Sequence, residues 1–136
     1  MNIRKYRNSF HVYVVDTNKE RRQILCDIVD AIDYKLDQFK SFAEAIEAIP
    51  TLPPHFILIE AGLLADNHLS RILDLCPETH VVAVVERGSE EEYFGMLSKG
   101  LFDVIPWPLV NSAQLIAALD RGAERDFFQY QNEQLK

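Results

Sequence analysis

The sequence is short of basic residues and contains no long apolar run. Its 136 residues include 14 Lys and Arg against 21 Asp and Glu, which gives a formal net charge of −7. This balance argues against direct binding to nucleic acid, because phosphate backbones require a basic surface. No apolar stretch approaches the roughly 20 residues that cross a bilayer, and no apolar signal core follows the basic N-terminus. We therefore expect a cytoplasmic protein with no membrane or nucleic-acid partner.

Cysteine, histidine and glycine are also too sparse or too scattered to indicate a cofactor site. Cys26 and Cys76 fall in predicted helices, and two cysteines make no disulfide framework. The histidines show no ligand spacing such as His-x-x-x-His; they are His11, His55, His68 and His80. No glycine-rich phosphate-binding loop is visible. We therefore expect structural thiols, no cofactor and no metal site built from these residue types.

Three short apolar runs, in contrast, each end on an acidic residue. They are VYVV before Asp16, FILI before Glu60 and VVAVV before Glu86. Runs this short and this rich in β-branched residues are typical of strands buried on both faces of a parallel sheet. Sites in open parallel sheets form just beyond the carboxyl ends of the strands. The acids therefore mark the edge where we expect a functional site.

Strand and helix signals alternate five times along the chain. Capping-box patterns at Thr17, Ser41 and Ser89 predict three helix starts. A weak strand is predicted over 35–39 and a short last strand over 102–105. Strict alternation predicts an α/β fold, a doubly wound five-stranded parallel sheet with helices on both faces.

Both ends of the chain differ in character from its middle. We expect an N-terminal extension over 1–9, the α/β domain over 10–122, and a helical tail over 123–136 or a linker to an output domain outside this sequence. The tail is polar, and its large apolar residues are Phe127, Phe128, Tyr130 and Leu135. A helix projecting alone buries too little to be stable, so the tail predicts a homodimer or a further domain.

Five modest motifs occur in register over residues 10 to 122. They are Val14-Val15-Asp16, Pro53-Pro54, Arg87-Gly88-Ser89-Glu90-Glu91, Lys99-Gly100 and Pro108. With the alternation and the acid positions, they resemble the receiver domain of two-component response regulators (the CheY-like superfamily). The resemblance implies a flavodoxin-like sheet of strand order 2-1-3-4-5 and a role in phosphorelay signal transduction. It also implies a cis Trp107–Pro108 bond, which receivers generally have at that step.

The resemblance further implies the site of a working receiver, from which this chain departs. Such a receiver holds magnesium with two adjacent acids after the first strand and an Asp after the third, and that Asp attacks a phosphoryl donor. A hydroxyl residue after the fourth strand and a Lys before the fifth-strand proline hold the phosphoryl oxygens. Here Asp16 is retained, but the other positions carry Thr17, Glu60, Val85 and Trp107. Because this chemistry depends on positioning and charge neutralisation, the resemblance implies a degenerate receiver that is not an enzyme.

Several roles at these positions stay open in the sequence. Asp16 and Glu60 form a weak candidate magnesium site, or Asp16 merely favours the adjacent helix N-terminus. Glu60 is interpretable as a nucleophile, as a fixed charge that mimics phosphorylation, or as a solvated acid. Thr17 is assigned to a helix cap, and Trp107 either fills the core or faces a ligand.

Three functions follow from these alternatives. The first is a phosphorylation-independent signalling module that acts by protein–protein contact, by resemblance through the fourth helix, fifth strand and fifth helix. The second is a phosphorylatable receiver with an altered site, and the third is a small-ligand-binding flavodoxin-like domain. The sequence identifies neither an output domain nor a kinase nor the regulated process.

Overall fold

A five-stranded parallel sheet organises the molecule, with helices on both of its faces. The computed structural model describes residues 2–65 and 67–134. The strands are β1 (His11–Val15), β2 (Lys35–Phe39), β3 (Phe56–Glu60), β4 (His80–Glu86) and β5 (Asp103–Trp107). The helices are α1 (Lys19–Ala31), α2 (Phe42–Ala48), α3 (His68–Leu75), α4 (Glu91–Phe94) and α5 (Ala113–Gln134). The strand order β2-β1-β3-β4-β5 confirms the predicted topology.

The pattern of burial explains which strands lie at the centre. The three strands that the apolar runs predicted are buried on both faces, whereas β2 is mostly exposed at the sheet edge. Val15, the last residue of β1, pairs with Ile59, so Asp16 and Glu60 follow this pair on neighbouring strands. β4 continues two residues beyond the partner of Glu60, to Glu86. This register brings Asp16 and Glu60 to the same edge of the sheet.

Two hydrophobic clusters hold the helices against the sheet. One covers the face under α1 and α5, and the other covers the face under α2 and α3. Cys26 belongs to the first cluster and Cys76 to the second, so the two thiols lie on opposite faces of the sheet. Both are buried and free, and burial raises the pKa of each thiol. Cys76 follows the last residue of α3 instead of lying within the helix.

A helix begins within two residues of each of the three predicted positions, but only one of the three predicted caps is confirmed. The Ser41 hydroxyl accepts a hydrogen bond from the Glu44 amide (3.2 Å) and caps α2. The Thr17 cap is wrong, because Asn18 caps α1 instead. The Ser89 capping box is also wrong, since α4 begins without a side-chain cap. Gly100, from the Lys99-Gly100 motif, has a left-handed backbone conformation with φ +107°.

The tail continues the last helix and lies partly against the body of the domain. α5 runs without interruption from Ala113 to Gln134. Phe127 does not lie outside the body, because its ring contacts that of Tyr6 with centroids 4.9 Å apart. Phe128 and Tyr130 are 55% and 59% exposed. Leu135, the remaining apolar residue of the predicted tail, lies outside the described residues.

The N-terminal segment also packs against α5. Residues 3–5 and 7–9 form short 3-10 turns. Arg7 is buried and donates two hydrogen bonds to the Asp120 carboxylate (3.0 and 2.6 Å), and the Tyr34 hydroxyl donates a third (2.7 Å). The segment is therefore clamped to α5. Within the described ranges, none of the helices has the length and apolar character needed to cross a membrane.

Candidate functional site at the carboxyl edge of the sheet

A cleft of about 280 Å³ opens at the carboxyl edge of the sheet, where the sequence predicts a site. It lies beyond the ends of β3, β4 and β5, whose residues Glu60, Val85 and Trp107 line it. Arg21 of α1 lines it as well. Asp16 is fully buried and contacts the cleft residue Arg21. The structure therefore gathers the residues that the sequence singles out.

Both oxygens of the Asp16 carboxylate are occupied by donors from α1. Arg21 makes a bidentate contact, Nε to Oδ2 at 2.5 Å and Nη2 to Oδ1 at 2.8 Å. The Asn18 amide donates a further bond to Oδ1 (2.8 Å). Fork-shaped pairing of this kind is the strongest way for a guanidinium to bind a carboxylate. The hydrogen bond to Asp16 raises the pKa of Arg21 against the opposing effect of burial.

Glu60 is held from the side of β1. Its Oε1 accepts hydrogen bonds from the Thr17 amide (2.9 Å) and the Thr17 hydroxyl (2.7 Å), and Arg21 Nη2 lies 3.4 Å away. Burial alone would raise the pKa of Glu60, but the two Thr17 bonds and the charge of Arg21 lower it below the ordinary value. Glu60 is therefore an ionised, fixed carboxylate at neutral pH.

Thr17 is a site residue and not the helix cap that the sequence predicted. The Thr-x-x-Glu spacing matches a capping box, but Asn18 offers an equally good cap one residue later. The Asn18 side-chain oxygen accepts a hydrogen bond from the Arg21 backbone amide (2.9 Å). This shift of one residue frees the Thr17 hydroxyl to reach across to Glu60.

Arg21 is the functional residue that the sequence analysis missed. It is the third residue of α1, and Lys19 and Arg22 flank it in the same first turn. Cations in the first turn of a helix are unfavourable because of the helix dipole. A basic first turn next to Asp16 is thus a sequence signal for pairing with a nearby acid, although it does not identify which arginine turns inward.

The arrangement does not fit a magnesium ion. Hard cations take carboxylate and water oxygens, but the Arg21 guanidinium lies between the two carboxylates that would supply them. In the described part of the chain, no group of three or more His, Cys, Asp and Glu side chains is placed to hold a metal. The weak magnesium site predicted at Asp16 and Glu60 would therefore require Arg21 to leave.

The two remaining positions offer no charged group to the cleft. Val85 is 1% exposed and belongs to the core, with no polar side-chain atom. Trp107 packs partly against the hydrophobic cluster under α1 and α5 while it also lines the cleft. The Trp107–Pro108 bond is cis, as expected. Ser89, assigned to a cap from the sequence, lines the cleft instead.

His11 and His80 lie away from the cleft. His11 and His80 begin β1 and β4 at the amino edge of the sheet, opposite the cleft. His11 Nε2 pairs with Asp37 Oδ2 and His80 Nε2 pairs with Asp126 Oδ1, both at 2.8 Å. These contacts tie β1 to β2 and β4 to α5, which are structural roles.

Solved structures with a similar fold include response regulators and receiver domains. NtrX from Brucella abortus, in complex with ADP, matches with a TM-score of 0.82 and 20% identity over 93% of this chain and 30% of its own. A response regulator receiver domain protein from Clostridium thermocellum matches with a TM-score of 0.78 and 13% identity, over 88% and 98% of the two chains. A CheY-like receiver domain protein from Methanospirillum hungatei matches with a TM-score of 0.77 and 16% identity, over 88% of this chain and 98% of its own.

These similarities establish the receiver fold and confirm the predicted resemblance at that level. The chain spans about 30% of the NtrX chain but nearly the full length of the two receiver domain proteins. No protein-family model matches the chain, and no curated protein resembles it in sequence. A shared fold does not define the chemistry of a site, which depends on the side chains present there.

Proposed function

We propose that this chain is a receiver-like signalling module of two-component type that acts by protein–protein contact and does not transfer phosphoryl groups. The proposal joins two features of the molecule. The fold is that of receiver domains. The carboxyl edge, where a receiver performs its chemistry, carries a different set of side chains.

The observation that carries the proposal is the missing pair of donors around Glu60. A transferred phosphoryl group brings negative charge on its oxygens, and catalysis consists largely of neutralising and positioning that charge. Val85 supplies no hydrogen bond there and Trp107 supplies no ammonium group. Thr17 binds Glu60 Oε1 through both its amide and its hydroxyl, which fixes the carboxylate at the sheet edge.

We assign Glu60 the role of a permanent negative charge. In a receiver that works by phosphorylation, charge at this position is added and removed. Here the carboxylate is held by Thr17 and paired with Arg21, so the local charge is constant. The module would then present one surface permanently, and its regulation would come from the presence of partners.

The partners that we propose are other protein chains, in the cytoplasm. Contact with other proteins would use the face formed by α4, β5 and α5, where Phe94, Leu97 and Val110 are exposed, whereas a homodimer would form through the tail of α5, where Phe128 and Tyr130 are exposed. An output domain would follow residues 123–136, which we propose as the connecting helix beyond a domain of residues 10–122 preceded by the segment 1–9.

Incubation with acetyl phosphate and magnesium tests the proposal. Intact-mass spectrometry should find the protein unmodified, because Val85 and Trp107 offer neither the hydroxyl nor the ammonium group that a receiver has at these two positions. A receiver domain protein that accepts phosphoryl groups provides the positive control. A gain of one phosphoryl group by this chain, abolished in Glu60→Gln, would overturn the proposal in favour of a phosphorylatable receiver.

A further inference from the structure

We propose that Arg21 is a built-in replacement for a divalent cation, and that removal of its side chain converts Asp16 and Glu60 into a metal site. The inference rests on the proposed function, because it explains how a receiver-like edge keeps its acids without a metal. It concerns the cation alone and makes no assumption about phosphoryl transfer.

The guanidinium occupies the position of a shared cation. Its Nη2 lies 2.8 Å from Asp16 Oδ1 and 3.4 Å from Glu60 Oε1, so one nitrogen contacts an oxygen of each carboxylate. Nε adds the contact to the second Asp16 oxygen. A metal ion between two carboxylates makes the same kind of contact with one oxygen from each. Arg21 and a metal therefore exclude each other.

Burial makes a cation at this position necessary for stability. The Asp16 side chain is 0% exposed, and the side chains of Arg21 and Glu60 are 18% and 24% exposed. A carboxylate without water requires a positive partner or a full set of hydrogen-bond donors, because an unpaired buried charge is very costly. If Arg21 is removed, the Asp16 carboxylate keeps one hydrogen bond, which the Asn18 backbone amide donates. A small hydrated cation would then be the available substitute.

The neighbouring Arg22 provides a matched control. It lies in the same helical turn and carries the same charge, but it donates to the Asp16 backbone carbonyl (2.8 Å) and to the Gln38 side chain (3.1 Å). Neither contact involves the Asp16 or Glu60 carboxylate. Loss of Arg22 changes the net charge as much as loss of Arg21 does, yet it leaves the two acids paired.

The test compares Mn²⁺ and Mg²⁺ binding to the full chain, to Arg21→Ala and to Arg22→Ala. Mn²⁺ paramagnetic resonance and calorimetry should show saturable binding to Arg21→Ala with a millimolar Kd. The wild type and Arg22→Ala should bind Mn²⁺ at least about 10-fold more weakly than Arg21→Ala does. The binding should be lost again in the double variant Arg21→Ala/Glu60→Gln. Arg21→Ala should melt about 10 °C lower than the wild type, and Mn²⁺ should raise its Tm while leaving that of the wild type unchanged.

Equal Mn²⁺ affinity of the wild type and Arg21→Ala, or no saturable binding by a folded Arg21→Ala, would overturn the inference. If Arg21→Ala does not fold, Arg21→Gln carries the same comparison with a neutral side chain of similar length. Phosphoryl uptake by the wild type would be detected as a gain in mass, and it would contradict the proposed function. Metal binding is read separately, so the two failures are distinguishable.

Discussion

At the scale of single residues, the site depends on one hydroxyl that crosses between two strands. Thr17 follows β1 and Glu60 ends β3, and the two bonds from Thr17 to Glu60 Oε1 join them at the edge of the sheet. The same bonds help to lower the pKa of Glu60. Thr17 therefore contributes to both the position and the ionisation of the central acid.

Replacing Thr17 by Val should destabilise the protein by about 1 kcal/mol at pH 7, because one hydrogen bond to a partly exposed carboxylate is lost. A group whose folded pKa is depressed stabilises the fold above its unfolded pKa and loses that effect as the pH falls through the folded value. The difference from the wild type should therefore shrink as the pH falls below the ordinary pKa of 4.5 toward the lower folded value, so that it is smaller at pH 3 than at pH 7. Urea unfolding at pH 7 and pH 3 measures it.

Thr17→Ser keeps the hydroxyl and provides the control for that measurement. It should unfold within a few tenths of a kcal/mol of the wild type at both pH values. If Thr17→Val loses the same stability at pH 3 as at pH 7, the effect comes from packing and the assigned link between Thr17 and Glu60 ionisation is contradicted.

The sequence could predict the positions of the site residues but not their partners. Asp16 and Glu60 follow apolar runs, and the register of a parallel sheet is enough to place both at one edge. The pairing with Arg21 depends on which of three cations in the first turn of α1 points inward. A shift of one residue in the helix cap, from Thr17 to Asn18, decides this, and a capping-box pattern cannot resolve it.

At the scale of elements, the N-terminal segment and α5 support each other. Arg7, Asp120 and Tyr34 connect residues 3–9 to α5 and to the loop before β2. The sequence predicted an extension here because no periodic pattern links these residues to the sheet. The partner of Arg7 is more than a hundred positions away, and no local signal announces such a contact.

Replacing Arg7 by Met should destabilise the protein by about 3 kcal/mol, since it leaves the Asp120 carboxylate partly buried without its guanidinium. The control is Arg4→Met, because Arg4 is an exposed arginine on the same segment and should change stability by less than about 0.5 kcal/mol. Thermal and urea unfolding provide the comparison. Equal effects of the two substitutions would mean that the segment is an appendage and that the Arg7 clamp contributes nothing.

At the scale of the whole molecule, the apolar residues left in water point to self-association. Phe128 and Tyr130 project from the exposed part of α5, while Phe127 packs on Tyr6. Large aromatic side chains left in water along one stretch of helix favour contact with another chain. The alternation of strands and helices predicted the doubly wound parallel sheet correctly, and the receiver resemblance implied its strand order. Neither of them specifies a partner.

We expect the wild type to be dimeric in the high micromolar range and the double variant Phe128→Glu/Tyr130→Glu to be monomeric there, because two carboxylates replace the apolar contact. Sedimentation equilibrium in the high micromolar range measures this. The matched control Gln129→Glu/Gln131→Glu adds the same charge at the two neighbouring exposed positions and should leave the dimer intact. Monomers throughout would mean that the tail is a linker, and equal dissociation of both double variants would mean that charge alone is responsible.

The proposal that this chain does not take up phosphoryl groups is tested most directly by a titration of the wild type with beryllofluoride and magnesium, followed by amide and indole NMR signals. Beryllofluoride mimics a phosphoryl group on a carboxylate and needs the same donors around it. With Val85 and Trp107 in place of those donors, the signals of Thr17, Glu60, Val85 and the Trp107 indole should not move. Saturable shifts at these residues that disappear in Glu60→Gln would contradict the proposed mechanism.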